Sequence, residues 1–391
     1  MTTSGSDDAS PSARPPPRSG RFKYVVLPGN EPSLVLEALA RRAWWSASAD
    51  GERFDFWWAG NGQRFPFASL GGGRDARRRV VVFNRIERHR EICTKTGLAR
   101  IAELCAERYG RDLPWRLETH VVQPGNRDEG LARLRRAYDD NRKRAPHGSN
   151  EGAVWIVKPA AMNRGRGIHI FAKLDAMERF LRGGSSRDAL VVQKYIERPL
   201  LIDDRKFDIR MFVLVTSEPR VFLHPEGYVR TCSVGYDAGD LSDATRHLTN
   251  DAVQKGAGEY GAFEECNKLS ASEFDAKFPD VPGGVWARAY AQIKTCLAQV
   301  FPVAVKRMRP ANRAGCFEVF GLDFMLDRDL RAYLIEINTS PALFRKGRCL
   351  SDLLPRVIEE TMQRALDPHF PPPPGFRLDA DPLDAFEEIK L

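Results

Sequence analysis

Apolar and polar positions alternate most clearly from Val319 to Leu326. Phe320, Leu322, Phe324 and Leu326 fall on one side, and Val319, Gly321, Asp323 and Met325 on the other. A turn at Asp327 to Leu330 leads into a second run, Arg331 to Asn338, in which Leu334, Glu336 and Asn338 share a face. The pattern predicts a β-hairpin. Pairing Asp327 with Leu330 sets Asp323 opposite Leu334 and diagonal to Glu336, so that Asp323, Glu336 and Asn338 converge, whereas a three-residue turn would reverse the parity and separate them. Oxygen donors on so apolar a ladder suit a hard divalent ion that also binds phosphate oxygens, which describes Mg²⁺. The plainer reading is a solvated edge pair. Against it, carboxylates within FMLD and YLIEIN would be costly to bury without a cation.

A second alternating segment is DDRKFDIRMFVLV. Lys206, Asp208 and Arg210 share one strand face, and Phe207, Ile209 and Met211 the other. Phe212 and Leu214 continue the charged face, which puts the charges at the mouth of a cleft. AVWIVK, residues 153–158, reads as a buried strand ending in Lys158 before a turn with Gly165 and Gly167. That arrangement can meet a phosphate, although the turn lacks Walker spacing and by itself reads as a hairpin. ALVVQKYI, residues 189–196, is a further buried strand. Through Pro199 it can serve as a hinge whose backbone reads an adenine edge, or simply as core. VFLHPEGYVRT carries Glu226 and Arg230, and His247 in RHLTN reads as a hydrogen-bonded structural histidine.

The remaining pattern suggests an α/β chain. Residues 1–20, rich in Ser, Pro and Arg, read as a disordered tail. FKYVVLP (strand), SLVLEALARRAWW (helix opening at Ser33) and FDFWWAG (strand) make a small α/β domain over 21–75. A basic junction, Gly71 to Gly73 with Arg74, Arg77, Arg78 and Arg79, leads on to a central domain, 76–200, and a C-terminal domain, 201–391, that carries the hairpin. A helix is expected at Lys95 to Tyr109, a strand at Glu118 to Val122, an arginine-rich helix at Asp128 to Arg144 and a core helix at Val285 to Phe301. FPPPPGF is a stiff spacer before a short terminal segment.

Composition narrows the class. With 391 residues and 42% hydrophobic content the chain can bury a large core. No apolar run approaches the roughly 18 residues of a membrane helix, and the N-terminus lacks a signal-peptide core, so a soluble cytoplasmic protein is expected. Seven scattered cysteines without a CxxC pair indicate reduced thiols rather than zinc or disulfides. A net charge of +8 implies an acidic partner, be it nucleic acid, an anionic membrane or an acidic protein segment. The helix bearing Arg133, Arg135, Arg136, Arg142, Lys143 and Arg144 could supply that footprint, though charge runs are usually solvated faces.

In order over residues 153 to 342, WIVKP with GRGI, VVQKYIERPLLI, RKFDIRMFVLV, EGYVRT, HLTN, FGLDFMLD and EINTSPAL resemble the tubulin tyrosine ligase and ligase-like family of ATP-grasp amide-forming enzymes. NGQRFPFASLG, EICTKTGLARI and the terminal EEIKL extend the likeness. The resemblance implies an ATP-grasp fold with nucleotide between the central and C-terminal lobes. Lys158 and Lys206 would hold ATP phosphates, and Gln193, Lys194, Tyr195 and Ile196 would form the adenine hinge. Asp208 would contact the nucleotide, and Asp323, Glu336 and Asn338 would hold Mg²⁺. Arg210 and Arg230 would stabilise charge on the transferring phosphoryl group and the acyl phosphate. ATP activates a carboxylate as an acyl phosphate, which an amine then attacks, so no protein nucleophile is needed.

The implied partners are α-tubulin, through its acidic C-terminal tail, or the αβ-tubulin dimer, together with free tyrosine; no nucleic acid or membrane is implied. A monomer associated with the cytoskeleton is expected. Pro159 and Thr339-Ser340 depart from the tyrosine-adding pattern toward glutamate- and glycine-adding relatives. Conversely, many glutamate-adding relatives carry a lysine shortly after EINTSP, whereas SDLLPRVIEE offers only Arg356 and no lysine lies between Lys346 and Lys390. The expectation is tyrosine addition to the C-terminal glutamate of detyrosinated α-tubulin, with polyglutamylation or glycylation as the alternative. A catalytically inactive tubulin-binding module is the alternative of another class.

Overall fold

The computed structural model describes residues 21–391 apart from 30, 61–64, 66, 68–80, 145–151, 184–187, 311–314 and 380–384. The expected tail, 1–20, and the basic junction at 71–79 lie outside the described residues.

Three sheets organise the chain. The first is parallel, ordered β2-β1-β3-β4, from β1 (Phe22–Val26), β2 (Trp45–Ala47), β3 (Phe56–Trp58) and β4 (Val82–Phe83). The second is antiparallel, ordered β5-β8-β6-β7, from β5 (Thr119–Val122), β6 (Trp155–Pro159), β7 (His169–Phe171) and β8 (Leu190–Lys194). The third has eight strands: β9 (Leu201–Ile202), β10 (Arg205–Thr216), β11 (Val221–Leu223), β12 (Tyr228–Gly235), β13 (Lys268–Leu269), β14 (Phe317–Leu326), β15 (Ala332–Thr339) and β16 (Glu387–Ile389). The helices are α1 (Pro32–Ala40), α2 (Arg90–Cys93), α3 (Lys95–Tyr109), α4 (Arg127–Arg144), α5 (Leu174–Gly183), α6 (Ala244–His247), α7 (Asp251–Gln254), α8 (Ala271–Asp275), α9 (Val285–Met308) and α10 (Gly347–Ala365). The fold is mixed α/β, as the patterning implies.

Strand β10 is the axis of the large sheet because both its faces are apolar. Phe207, Ile209, Met211, Val213 and Val215 pack into a core with α9 and α3, whereas Phe212 and Leu214 belong to a second core with α1 and α10. The charged residues Lys206, Asp208 and Arg210 share the second face at its opening end, so the expected alternation is observed. In the middle sheet, α4 and α5 cover one face through Leu131, Leu134, Met177 and Leu181.

Several expectations need correcting. The helix expected to run to Trp45 stops at Ala40, because Trp45 pairs with Phe22 and the wholly buried Arg42 turns to bind Glu359 and Asp367. Helix α9 continues past Phe301 to Met308 despite Pro302; the lost backbone bond is offset by burial of Val300, Phe301, Ala304 and Met308. The short terminal segment, for which no element is expected, forms β16, which pairs with β11 and extends the large sheet.

Candidate active site

The hairpin carrying the three oxygen donors forms, but in a different register. Asp327 N–H bonds the Arg331 carbonyl at 3.1 Å, which leaves a three-residue turn, with Leu330 at φ +60°. Phe324 then faces Leu334, yet Asp323 faces Glu336, because Ile335 is bulged out of the ladder. The turn reverses the expected parity and the bulge restores it. Asp323 therefore lies directly opposite Glu336, and the Asn338 side-chain amide donates to Asp323 at 3.2 Å. The three donors converge as expected, by a different route.

Between the middle and large sheets lies a cavity of about 110 Å³. Its walls include Lys158, Gln193, Lys194, Tyr195, Ile196, Lys206, Asp208, Asp323 and Glu336, brought together from β6, β8, β10 and the hairpin. Lys158 donates to Gln193 Oε1 at 2.7 Å, and Lys206 donates to the Tyr195 hydroxyl at 2.7 Å, over its ring. Neither lysine has a carboxylate ion-pair partner among the described residues. Burial consequently pulls the Lys206 ammonium down to about 7 and that of Lys158 to about 8. Two buried amines without a direct ion-pair partner at one cavity are suited to a polyanion. On the same wall, the Ile196 N–H makes no hydrogen bond among the described residues and is free to meet a heterocycle edge. Lys194 turns its side chain away, to the Val154 carbonyl at 3.0 Å and to Glu197, which leaves only its backbone for the expected hinge.

Behind this wall runs a buried chain of charge. Arg230 binds Asp208 through two contacts of 2.6 Å and reaches Asp323 at 2.9 Å. Arg210 grips the other side of Asp323 at 2.5 and 3.2 Å, and the Thr249 hydroxyl donates to Asp208. Burial alone would raise the Asp323 carboxyl, but the two arginines outweigh it and hold the group below the usual carboxylate range. Arg210, Arg230 and Asn338 thus stand behind Asp323 rather than at the cavity wall. Glu336, in contrast, lines the cavity with no hydrogen bond or ion pair among the described residues. Two carboxylates and an amide oxygen, one of the carboxylates unengaged, fit a small hard cation.

Some contributors escape a reading by pattern. Lys95, which opens α3, lines the cavity and donates to the Met162 carbonyl at 2.6 Å; a lysine in a first helical turn carries no pattern that marks it. Thr249 and Asn250 of the HLTN segment also line it. Arg85 is buried, pairs with Glu318 and binds the hydroxyls of Thr339 and Ser340, just beyond Asn338. His247 is hydrogen-bonded as expected, to the Tyr195 hydroxyl at 2.9 Å and the Asp240 carbonyl at 2.7 Å, and it also lines the cavity.

Residues 74–375 match the model of the tubulin-tyrosine ligase family. The chain belongs to this family. It is 35% identical over 219 residues to tubulin glycylase 3B of Tetrahymena thermophila, covering 55% of this chain and 18% of that protein. With tubulin monoglycylase TTLL3 of Danio rerio the identity is 35% over 268 residues, 63% of this chain and 34% of the relative. With the probable alpha-tubulin polyglutamylase Ttll1 of T. thermophila it is 30% over 242 residues, 55% of this chain and 54% of the relative. The chain thus spans 18 to 54% of the length of these relatives. They favour the glycine- or glutamate-adding alternative over the expected tyrosine addition.

Proposed function

We propose that this chain is an ATP-dependent amide ligase that joins glycine to glutamate carboxylates of tubulin. The observation that carries the reading is the pair of buried amines without a direct ion-pair partner, Lys158 and Lys206, facing Asp323 and Glu336 across one cavity. On this reading the two ammonium groups hold the nucleotide's phosphates, and Ile196 N–H meets the adenine edge. Asp323, Glu336 and Asn338 would hold Mg²⁺, which when bound neutralises phosphate oxygens in the transfer. The tubulin carboxylate attacks the terminal phosphorus and ADP leaves. The amine of the amino acid then attacks the acyl carbonyl, and phosphate leaves with the bonding electrons. Arg210 and Arg230, locked by Asp323 and Asp208, present fixed positive charge beside the site without reorganising during the reaction.

The preference for glycine rests on the arginines after the hairpin. Arg345 is paired with Glu37, Arg348 with Glu273 and Arg356 with Glu226, so none is at hand for an incoming side-chain carboxylate. Glycine needs no such partner. One observation favours glutamate instead: Lys346 lies close enough to Lys255 to lower its pKa, and neither forms an ion pair among the described residues. An anionic side chain could bridge them. On either reading the chain acts in the cytoplasm at the cytoskeleton. The test is incubation with ATP, Mg²⁺ and separately labelled glycine, glutamate and tyrosine on tubulin, followed by mass spectrometry of the tails. Glycine on internal glutamate side chains supports the proposal, glutamate there supports the second reading, and terminal tyrosine overturns both. ATP turnover without transfer to tubulin also overturns both, and tubulin binding without ATP turnover would restore the non-catalytic module.

A further inference from the structure

Among the described residues strand β5 is an edge of the middle sheet, paired only with β8. The Lys194 N–H bonds the Glu118 carbonyl at 2.8 Å, and this sets the alternation along the strand. His120 and Val122 turn their backbone groups toward β8, whereas Thr119 and Val121 turn theirs outward. Among the described residues nothing bonds those outward groups. An exposed edge with an open ladder is the standard template for adding a strand from another chain.

The edge lies in a groove rather than on a bare surface. A groove of about 1260 Å³ flanked by α4 and one of about 740 Å³ flanked by α3 both include Thr119 and Val121. Their walls are basic. Arg90 and Arg100 on the α3 side and Arg144 on the α4 side are exposed and form no ion pair among the described residues. The site is also close to the chemistry: Gln193 donates to Thr119 Oγ1 at 3.1 Å while accepting from Lys158, so the edge is one strand removed from the cavity.

We infer that an extended acidic peptide docks on this chain by adding a strand to the open edge of β5, with Arg90, Arg100 and Arg144 flanking its carboxylates. The inference deepens the functional reading and rests on it for the peptide's destination, since a glutamate-rich segment entering the cavity needs somewhere to lie. The open backbone groups make the contact independent of side-chain order, and the arginines make it selective for acidic chains.

The test uses the full chain and a fluorescein-labelled Glu-Gly-repeat peptide of about ten residues. Amide hydrogen exchange should slow at Thr119 and Val121 on binding. Val121→Pro removes an outward N–H that the ladder to β8 does not use, and it should weaken binding by about tenfold. The double variant Arg100→Glu, Arg144→Glu should weaken it at least as much and flatten its salt dependence. ATP affinity should be unchanged in both. Should Val121→Pro fail to fold, exchange in the unaltered chain and the charge variant decide. Full affinity in a folded Val121→Pro, unslowed amides in the bound complex, or equal competition by oligouridylate RNA would overturn strand addition. Amino-acid transfer to tubulin is measured separately. Its absence beside intact peptide docking would count against the proposed reaction, and its presence without amide protection would overturn the docking edge alone.

Discussion

Nucleotide binding should draw protons out of solution. Burial places Lys206 at about 7 and Lys158 at about 8. Both lie below the ordinary lysine value, so in this range the unfolded chain binds more protons than the folded one. The lysines' contribution to stability therefore rises with pH through that window and is least favourable below it. A polyanion reverses the penalty by favouring the charged amines. If binding restores full protonation, uptake should be ~0.1 proton at pH 6, about one at pH 7.5 and ~1.7 at pH 8.5. Titration calorimetry with MgATP in buffers of different ionisation enthalpy reads this number directly, without tubulin and without turnover. Lys206→Met supplies the control: it should remove most of the uptake at pH 7.5, weaken ATP and leave the empty protein more stable than before. Uptake near zero at pH 7.5, or proton release, would refute the placement of phosphate between these two lysines.

Glu336→Gln keeps the side chain's shape but removes one of the two carboxylates of the proposed metal site, so amino-acid transfer should fall by about a hundredfold or more with the thermal unfolding curve unchanged; loss of activity in step with loss of stability would mark the residue as structural. Leu297 is wholly buried at the centre of α9, and Leu297→Ala should cost about 2–5 kcal/mol in denaturant unfolding while leaving ATP affinity intact. Arg356→Ala breaks an exposed ion pair with Glu226, so stability should change by less than about 1 kcal/mol and the ratio of glycine to glutamate use should not move; a shift in that ratio would put Arg356 at the amino-acid site.

Much of the site was legible because it lies on strands whose two-residue period exposes which side each group takes. Lys206, Asp208 and Arg210 were assigned to one face of β10 by alternation alone, and helix α3 matches its expected bounds of Lys95 and Tyr109. What pattern does not carry is pairing. Trp45 reads equally well as a helical or a strand residue, and only Phe22 beside it decides. Neither the bulge at Ile335 nor the strand at Glu387–Ile389 has a periodic signature, being one residue and three residues long. Substrate choice was the hardest to read. Thr339 and Ser340 point toward the glycine- and glutamate-adding relatives, whereas the lack of a lysine between Lys346 and Lys390 points away from glutamate. Their hydroxyls are bound by Arg85, so these positions couple the donor hairpin to the first sheet, and the departure is a change in how that hairpin is anchored.

The hairpin's long turn and its bulge act together like two shifts of a reading frame that cancel. Either one alone would turn Glu336 and Asn338 away from Asp323 and put Ile335 and Ile337 on its side of the hairpin. Hence the chain length between Asp323 and Glu336 can change only in steps of two. A single-residue insertion or deletion there would exchange ligands for core along the whole strand, whereas loss of one turn residue together with the bulge would keep the site. Among related sequences, gaps in this stretch should therefore come in even numbers, a rule that follows from the ladder's period and needs no knowledge of the reaction.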